Sequence, residues 1–143
     1  MNRAFEWMLK LVELRRDRSV QQSRRAQQEW ARSQEFTQQL QGYASEYDQQ
    51  WAQVAQRGDT ALMLHTTASF GDNLRSTASV QAQETDKLQT HSQKLLQQAL
   101  QDTQRVDALQ NYMARQQALR RVLAERREQK QLEDDLNGRR SRS

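Results

Sequence analysis

Proline is absent from this chain of 143 residues, although ordinary usage of about 5% would place roughly seven in it. Proline removes a backbone donor and clashes with the preceding turn, so it is the strongest helix breaker. Glycine appears only at Gly42, Gly58, Gly71 and Gly138. Very long helices are therefore permitted. Cysteine is also absent, which excludes disulfides and thiolate metal sites and leaves the redox compartment open. Apolar residues make up 35% and aromatics 6%, against about 45–50% apolar in an ordinary globular domain. That supply cannot fill a layered core, but it can fill the narrow seam of a coiled coil.

No run approaches the ~18 apolar residues of a membrane span. The start faintly resembles a signal peptide, yet Glu6, Lys10 and Glu13 interrupt its apolar residues and leave no hydrophobic stretch of the kind such a peptide needs. A cytoplasmic location is expected. The net charge of +4 comes from arginines clustered at Arg15, Arg16, Arg18, Arg24 and Arg25, at Arg115, Arg120, Arg121, Arg126 and Arg127, and at Arg139, Arg140 and Arg142. Such clusters suit a solvated helix surface, a docking face for an acidic protein, or a nucleic acid.

What remains is dominated by Gln, Ala, Arg, Leu and Glu, all good helix formers. A chain this polar could be disordered, but its apolar residues are periodic. One heptad frame reads Leu9, Val12, Arg16, Ser19, Ser23, Ala26, Trp30, Ser33, Thr37, Leu40, Ala44, Tyr47, Trp51, Val54. A second reads Leu88, Ser92, Leu95, Ala99, Asp102, Val106, Leu109, Met113. The expected fold is all-α, a long two-helix antiparallel coiled-coil hairpin.

Two places carry helix stop and start signals, Gly58-Asp59-Thr60 and Gly71-Asp72. Folding at Gly58 sets residues opposite one another when their numbers add to 117 or 118. Leu9 then meets Leu109, Val12 meets Val106, Trp30 meets Leu88, and Tyr47 meets Phe70. Folding at Gly71 sets Leu9 against Glu133 and Val12 against Lys130. Burying one such side chain is worth roughly 1.5–3 kcal/mol, so the fold at Gly58 is preferred. Gly71 then reads as a break, and residues 60 to 70 are expected to admit a short separate helix near the tip. The expected division is a first helix over 3–57, a turn with that short helix over 58–73, a second helix over 74–137, and a disordered basic tail over 138–143. Everything after about Gln117 overhangs the N-terminus, by about 30 Å at ~1.5 Å per residue. The overhang carries Leu119, Val122, Leu123, Leu132 and Leu136. That amphipathic stripe points to an external partner, with fraying or self-association as the alternative.

Leu40, Tyr43, Tyr47 and Trp51 recur at spacings of three and four, extended by Phe36. Phe70 and Leu74 lie across from the tyrosines in the chosen register. The group reads either as a bulky local core or as a partner-binding patch, since Tyr and Trp suit interfaces. No catalytic chemistry is legible. His65 and His91 lack carboxylates at ligand spacing, Glu133, Asp134 and Asp135 are consecutive and cannot share a face, and no glycine-rich phosphate loop occurs. No cofactor or metal is expected, and the chain reads as non-enzymatic.

Four pieces of sequence resemble the FliJ family, the soluble coiled-coil component of the bacterial flagellar type III export apparatus. They are the entry Phe5-Glu-Trp-Met-Leu-Lys-Leu-Val-Glu-Leu-Arg-Arg, the segment Leu40-Gln-Gly-Tyr43-Ala-Ser-Glu46-Tyr47 with its L-x-x-Y-x-x-E-Y spacing, Phe70 with Leu74 and Gln81, and the charged ending from Glu125 to Asp135. The resemblance implies a stalk-like hairpin whose overhang, through Leu119, Val122, Leu123, Arg126 and Arg127, enters a hexameric ring of export ATPase subunits. It implies that Leu40, Tyr43, Tyr47, Phe70 and Leu74 bind the membrane export gate protein FlhA. Phe36 and Thr77 depart from the family's pattern and stay outside that set. Export chaperones are further implied partners, with no nucleic acid and no small-molecule substrate. The implied location is cytoplasmic, peripheral to the inner membrane at the flagellar base. The equivalent stalk of a virulence secretion system and a generic coiled-coil scaffold are the alternatives.

Overall fold

Good helix formers without proline build two very long helices. A computed structural model describes residues 3–58 and 60–142. It is an all-α helical hairpin of α1 (Arg3–Gln56) and α2 (Ala61–Arg142). Gly58 ends α1 in the left-handed conformation, at φ +67°, which a side chain would strain. The Arg57 amide donates to Gln53 O at 3.1 Å and Gly58 to Ala55 O at 3.4 Å, using carbonyls that the last turn leaves open. On the far side Thr60 starts α2, its Oγ1 accepting from the Met63 amide at 3.4 Å. Asp59, the other cap suggested by sequence, lies outside the described residues.

Two expectations need correction. α2 runs without a break through Gly71, so residues 61 to 70 are its first turns and not a separate helix. One glycine costs a helix only about 1 kcal/mol, and this one is buried for packing. A Cβ there would lie 3.3 Å from Tyr47 Cδ1. Helix also continues past Gly138 to Arg142, where a basic tail was expected to be disordered. Arg139, Arg140 and Arg142 occupy the last turn, where cations complement the helix dipole.

The chain divides into two compact units, Asp17–Leu100 and Met1–Arg16 with Gln101–Ser143. Within the first, the seam is built from small and polar residues. α1 buries Ser19, Ser23, Ala26, Ser33, Thr37, Leu40 and Ala44, and α2 buries Gly71, Ala78, Thr85, Ser92 and Ala99. Larger Trp30, Tyr47, Leu74, Leu88 and Leu95 are half-buried around them. At mid-seam Ser33 Oγ and Thr85 Oγ1 lie 2.7 Å apart, Thr37 Oγ1 and Thr85 Oγ1 2.8 Å, and Gln81 Nε2 donates to Ser33 Oγ at 3.0 Å. Gln81 donates to Ser33, Ser33 to Thr85, and Thr85 to the Gln81 carbonyl at 2.9 Å, while the Thr37 proton is shared between the Ser33 carbonyl at 2.9 Å and Thr85 Oγ1.

In the other unit, α1 residues pack on α2 around Val106, which is fully buried. Phe5 and Tyr112 stack with ring centroids 5.7 Å apart. Asp102 sits in this seam with 1% of its side chain exposed, its Oδ1 lying 3.8 Å from Arg15 Nε and 3.3 Å from Arg105 Nη1. Two guanidinium groups thus stand over the carboxylate and offset the cost of burying it. From Gln117 to Arg142 every residue is exposed.

The contacts fall in the register of a fold at Gly58. Phe5 with Tyr112, Arg15 with Asp102, and Tyr47 with Phe70 have numbers adding to 117, and Ser33 with Thr85 to 118. Thr85→Val removes the central hydroxyl of the polar layer at nearly constant volume. It leaves the Ser33 proton without its acceptor and should lower stability by about 1–3 kcal/mol. Urea unfolding followed by circular dichroism checks this, and a variant as stable as the parent would show that the layer contributes nothing.

Candidate partner-binding surfaces

Helical periodicity puts one edge of the aromatic cluster in the seam and leaves the other in solvent. Leu40 is only 9% exposed, whereas Tyr43 is 58% and Phe70 53% exposed. Tyr47 and Leu74 are half-buried between these extremes. The Tyr47 and Phe70 rings meet across the hairpin at 4.8 Å with planes tilted 48°. Such a pair adds about 0.5–1.5 kcal/mol beyond area burial. Of the five residues singled out from sequence, Tyr47 and Phe70 meet, and burial divides the five into two roles. Leu40 packs beneath the surface, and Tyr43 and Phe70 present it. Phe36 and Trp51 are exposed beside them.

An ionic cluster closes one side. Arg75 hydrogen-bonds Asp72 at 2.6 Å and Asp48 across the hairpin. The bond to Asp72, and then that to Asp48, hold its guanidinium above the usual arginine range. With Tyr47, Trp51, Thr67, Ala68 and Gly71, Asp48 and Arg75 line a shallow groove. The heptad frame missed this groove, because Asp48 and Arg75 flank the seam. An opposite-charge pair whose numbers add to 123, a few residues off the seam register, is the signal that could have found it.

The second surface is the overhang. Leu119, Val122, Leu123, Leu132 and Leu136 are all exposed large apolar residues, and Arg126 and Arg127 are exposed on the same stretch. Their stripe meets no other element of the chain among the described residues. Sequence reasoning also passed over Trp7, Met8, Leu11 and Leu14, which are exposed on α1 away from the seam. No three His, Asp or Glu side chains gather as metal ligands among the described residues.

A family model described as Flagellar FliJ protein matches residues 1–143, the whole length of the chain. The chain belongs to the FliJ family. No curated protein and no solved structure matches it. As a FliJ protein it is a component of flagellar protein export, a type III secretion process. No FliJ helix described here is long and apolar enough to cross a membrane.

Burial separates the cluster's two roles experimentally. Leu40→Ala should cost this FliJ chain about 2–4 kcal/mol, since it empties a seam position. Tyr43→Ala, on the exposed edge, should stay within about 0.5 kcal/mol. Equal losses in urea unfolding would make the cluster a single local core.

Proposed function

We propose that this chain is a non-enzymatic coupler in flagellar export, engaging the export ATPase hexamer through its overhang and the membrane export gate protein FlhA through its aromatic patch. The observation that carries this reading is that both regions expose large apolar side chains which no seam requires. Interfaces are built around such groups, with Tyr and Arg enriched among the residues that matter most. Tyr43, Tyr47, Phe70 and Leu74, with Leu40 beneath them, form the gate-binding set. Leu119, Val122, Leu123, Arg126 and Arg127 form the ATPase-binding set, a long helix face that suits insertion into a groove between subunits. Association with export chaperones and a peripheral position at the inner membrane follow from the same reading. It needs no cofactor, no nucleic acid and no small-molecule substrate.

The test is an affinity pull-down of the tagged chain from its own bacterial lysate, with nuclease, read by mass spectrometry. Export ATPase and gate protein should both be recovered. Tyr43→Ala combined with Tyr47→Ala should abolish recovery of the gate protein while helical content stays unchanged. Truncation after Gln117 should remove the ATPase alone. ATPase recovery by the truncated chain would overturn that half, and self-association through the overhang with neither partner recovered would leave a scaffold.

A further inference from the structure

The start of α1 carries a second apolar stripe that its seam does not use. Phe5, Leu9 and Val12 are half-buried towards α2. Trp7, Leu11 and Leu14 are 64–65% exposed and Met8 50%. Trp7, Leu11 and Leu14 recur at spacings of four and three, and Met8 stands three before Leu11, so the four share one broad helix face. At 100° per residue that face is centred about 140° around the helix from the seam.

Charge sorts along the same lines. Glu6 and Glu13 project from the side opposite the stripe, where Glu13 accepts a hydrogen bond from Gln110 at 3.5 Å. Arg3 and Lys10 border the stripe on one margin, and the Lys10 ammonium lies 5.5 Å from the centroid of the Trp7 ring. Arg15 stands on the same arc, between Leu11 and Met8, and its guanidinium and that of Arg105 of α2 reach the same oxygen of Asp102.

An apolar helix face with a tryptophan, cations along one margin and within it, and acids behind fits a helix lying in the plane of an anionic lipid interface. Tryptophan settles at the headgroup level, and lysine and arginine reach lipid phosphates. A second copy fits less well. A twofold contact through this face sets it against itself, so Lys10 at its margin and Arg15 within it meet a second set of cations. We propose that the outer face of α1 over residues 3–15 docks directly onto an anionic phospholipid surface. Two turns supply only four apolar anchors, so the attachment is reversible. This goes beyond the coupler reading, in which a protein brings the chain to the membrane.

The full chain should co-sediment with vesicles of phosphatidylglycerol and phosphatidylcholine, but not with phosphatidylcholine alone, and raised salt should weaken the binding. Trp7→Ser with Leu11→Ser should reduce vesicle binding at least tenfold while circular dichroism stays unchanged, and Trp7→Phe with Leu11→Ile should retain it. Tyr43→Ala with Tyr47→Ala should bind vesicles like the parent. The assay holds no export protein, so its outcome is independent of the coupler reading. Failure of the parent chain to bind the anionic vesicles would overturn the proposal. So would undiminished binding by the serine variant, or a lipid-free dimer in sedimentation velocity that this variant abolishes.

Discussion

Two helices that meet along a single seam have few side chains with which to decide how they align. Most of the fully buried residues in the Asp17–Leu100 unit are Ser, Thr and Ala, which would pack almost as well after a shift of one heptad. Hydrophobic area alone therefore defines the register weakly there. The hydroxyl layer of Ser33, Thr37 and Thr85, closed by Gln81, is directional. Sliding either helix would part Ser33 and Gln81 from their partners across the seam, although Thr37 and Thr85 would keep carbonyls of their own helices. Such cross-seam bonds are expensive to leave unmade. A buried polar residue that specifies alignment at some expense of stability is a recognised use of polar seam positions. Here the small neighbours let the helices approach closely enough for short side chains to touch.

Asp102 applies the same logic in the other unit with a charge. A carboxylate 1% exposed would be strongly unfavourable alone. Arg15 from α1 and Arg105 from α2 stand over one of its oxygens, so the pairing across helices exists only in one alignment. Such a group is weak evidence for stability, since an apolar residue of similar size often serves as well. Its value lies in the geometry it demands. Val106, fully buried nearby, and the Phe5–Tyr112 stack supply the apolar burial that Asp102 does not.

The seam was legible because a seven-residue period leaves a trace that composition cannot hide. Every position of the second frame is buried or half-buried, and in the first only Trp51, 39% exposed, stands at the edge. Register was legible from size matching, since large residues had to meet large ones at both ends. Gly71 was misread because the same letter serves opposite purposes. Gly58 supplies a positive φ and ends a helix, while Gly71 stays helical and supplies closeness to Tyr47. Only the identity of the residue across the seam tells them apart. The aromatic cluster was legible as a group but not as layers, because Leu40 and Tyr43 share a motif while one faces the seam and the other does not. The outer stripe of α1 was hidden for a related reason. A frame fitted to one apolar face assigns the remaining apolar residues to nothing.

That last point bears on how such a chain can have several partners. A seam occupies about two of every seven positions, so most of each helix surface is free to carry something else. In a globular domain apolar residues beyond the core's needs are a solubility liability unless they are covered. Here they are few and grouped by face, as Tyr43 with Phe70 or Trp7 with Leu11 and Leu14, and charged residues such as Asp48 with Arg75 or Lys10 stand at their margins. Grouping confines each exposed patch to a size that a reversible partner can cover. A thin, polar seam thus follows from the same economy as the surfaces. The fewer apolar residues the hairpin needs to hold itself together, the more it can present outward without a competing core to draw them in.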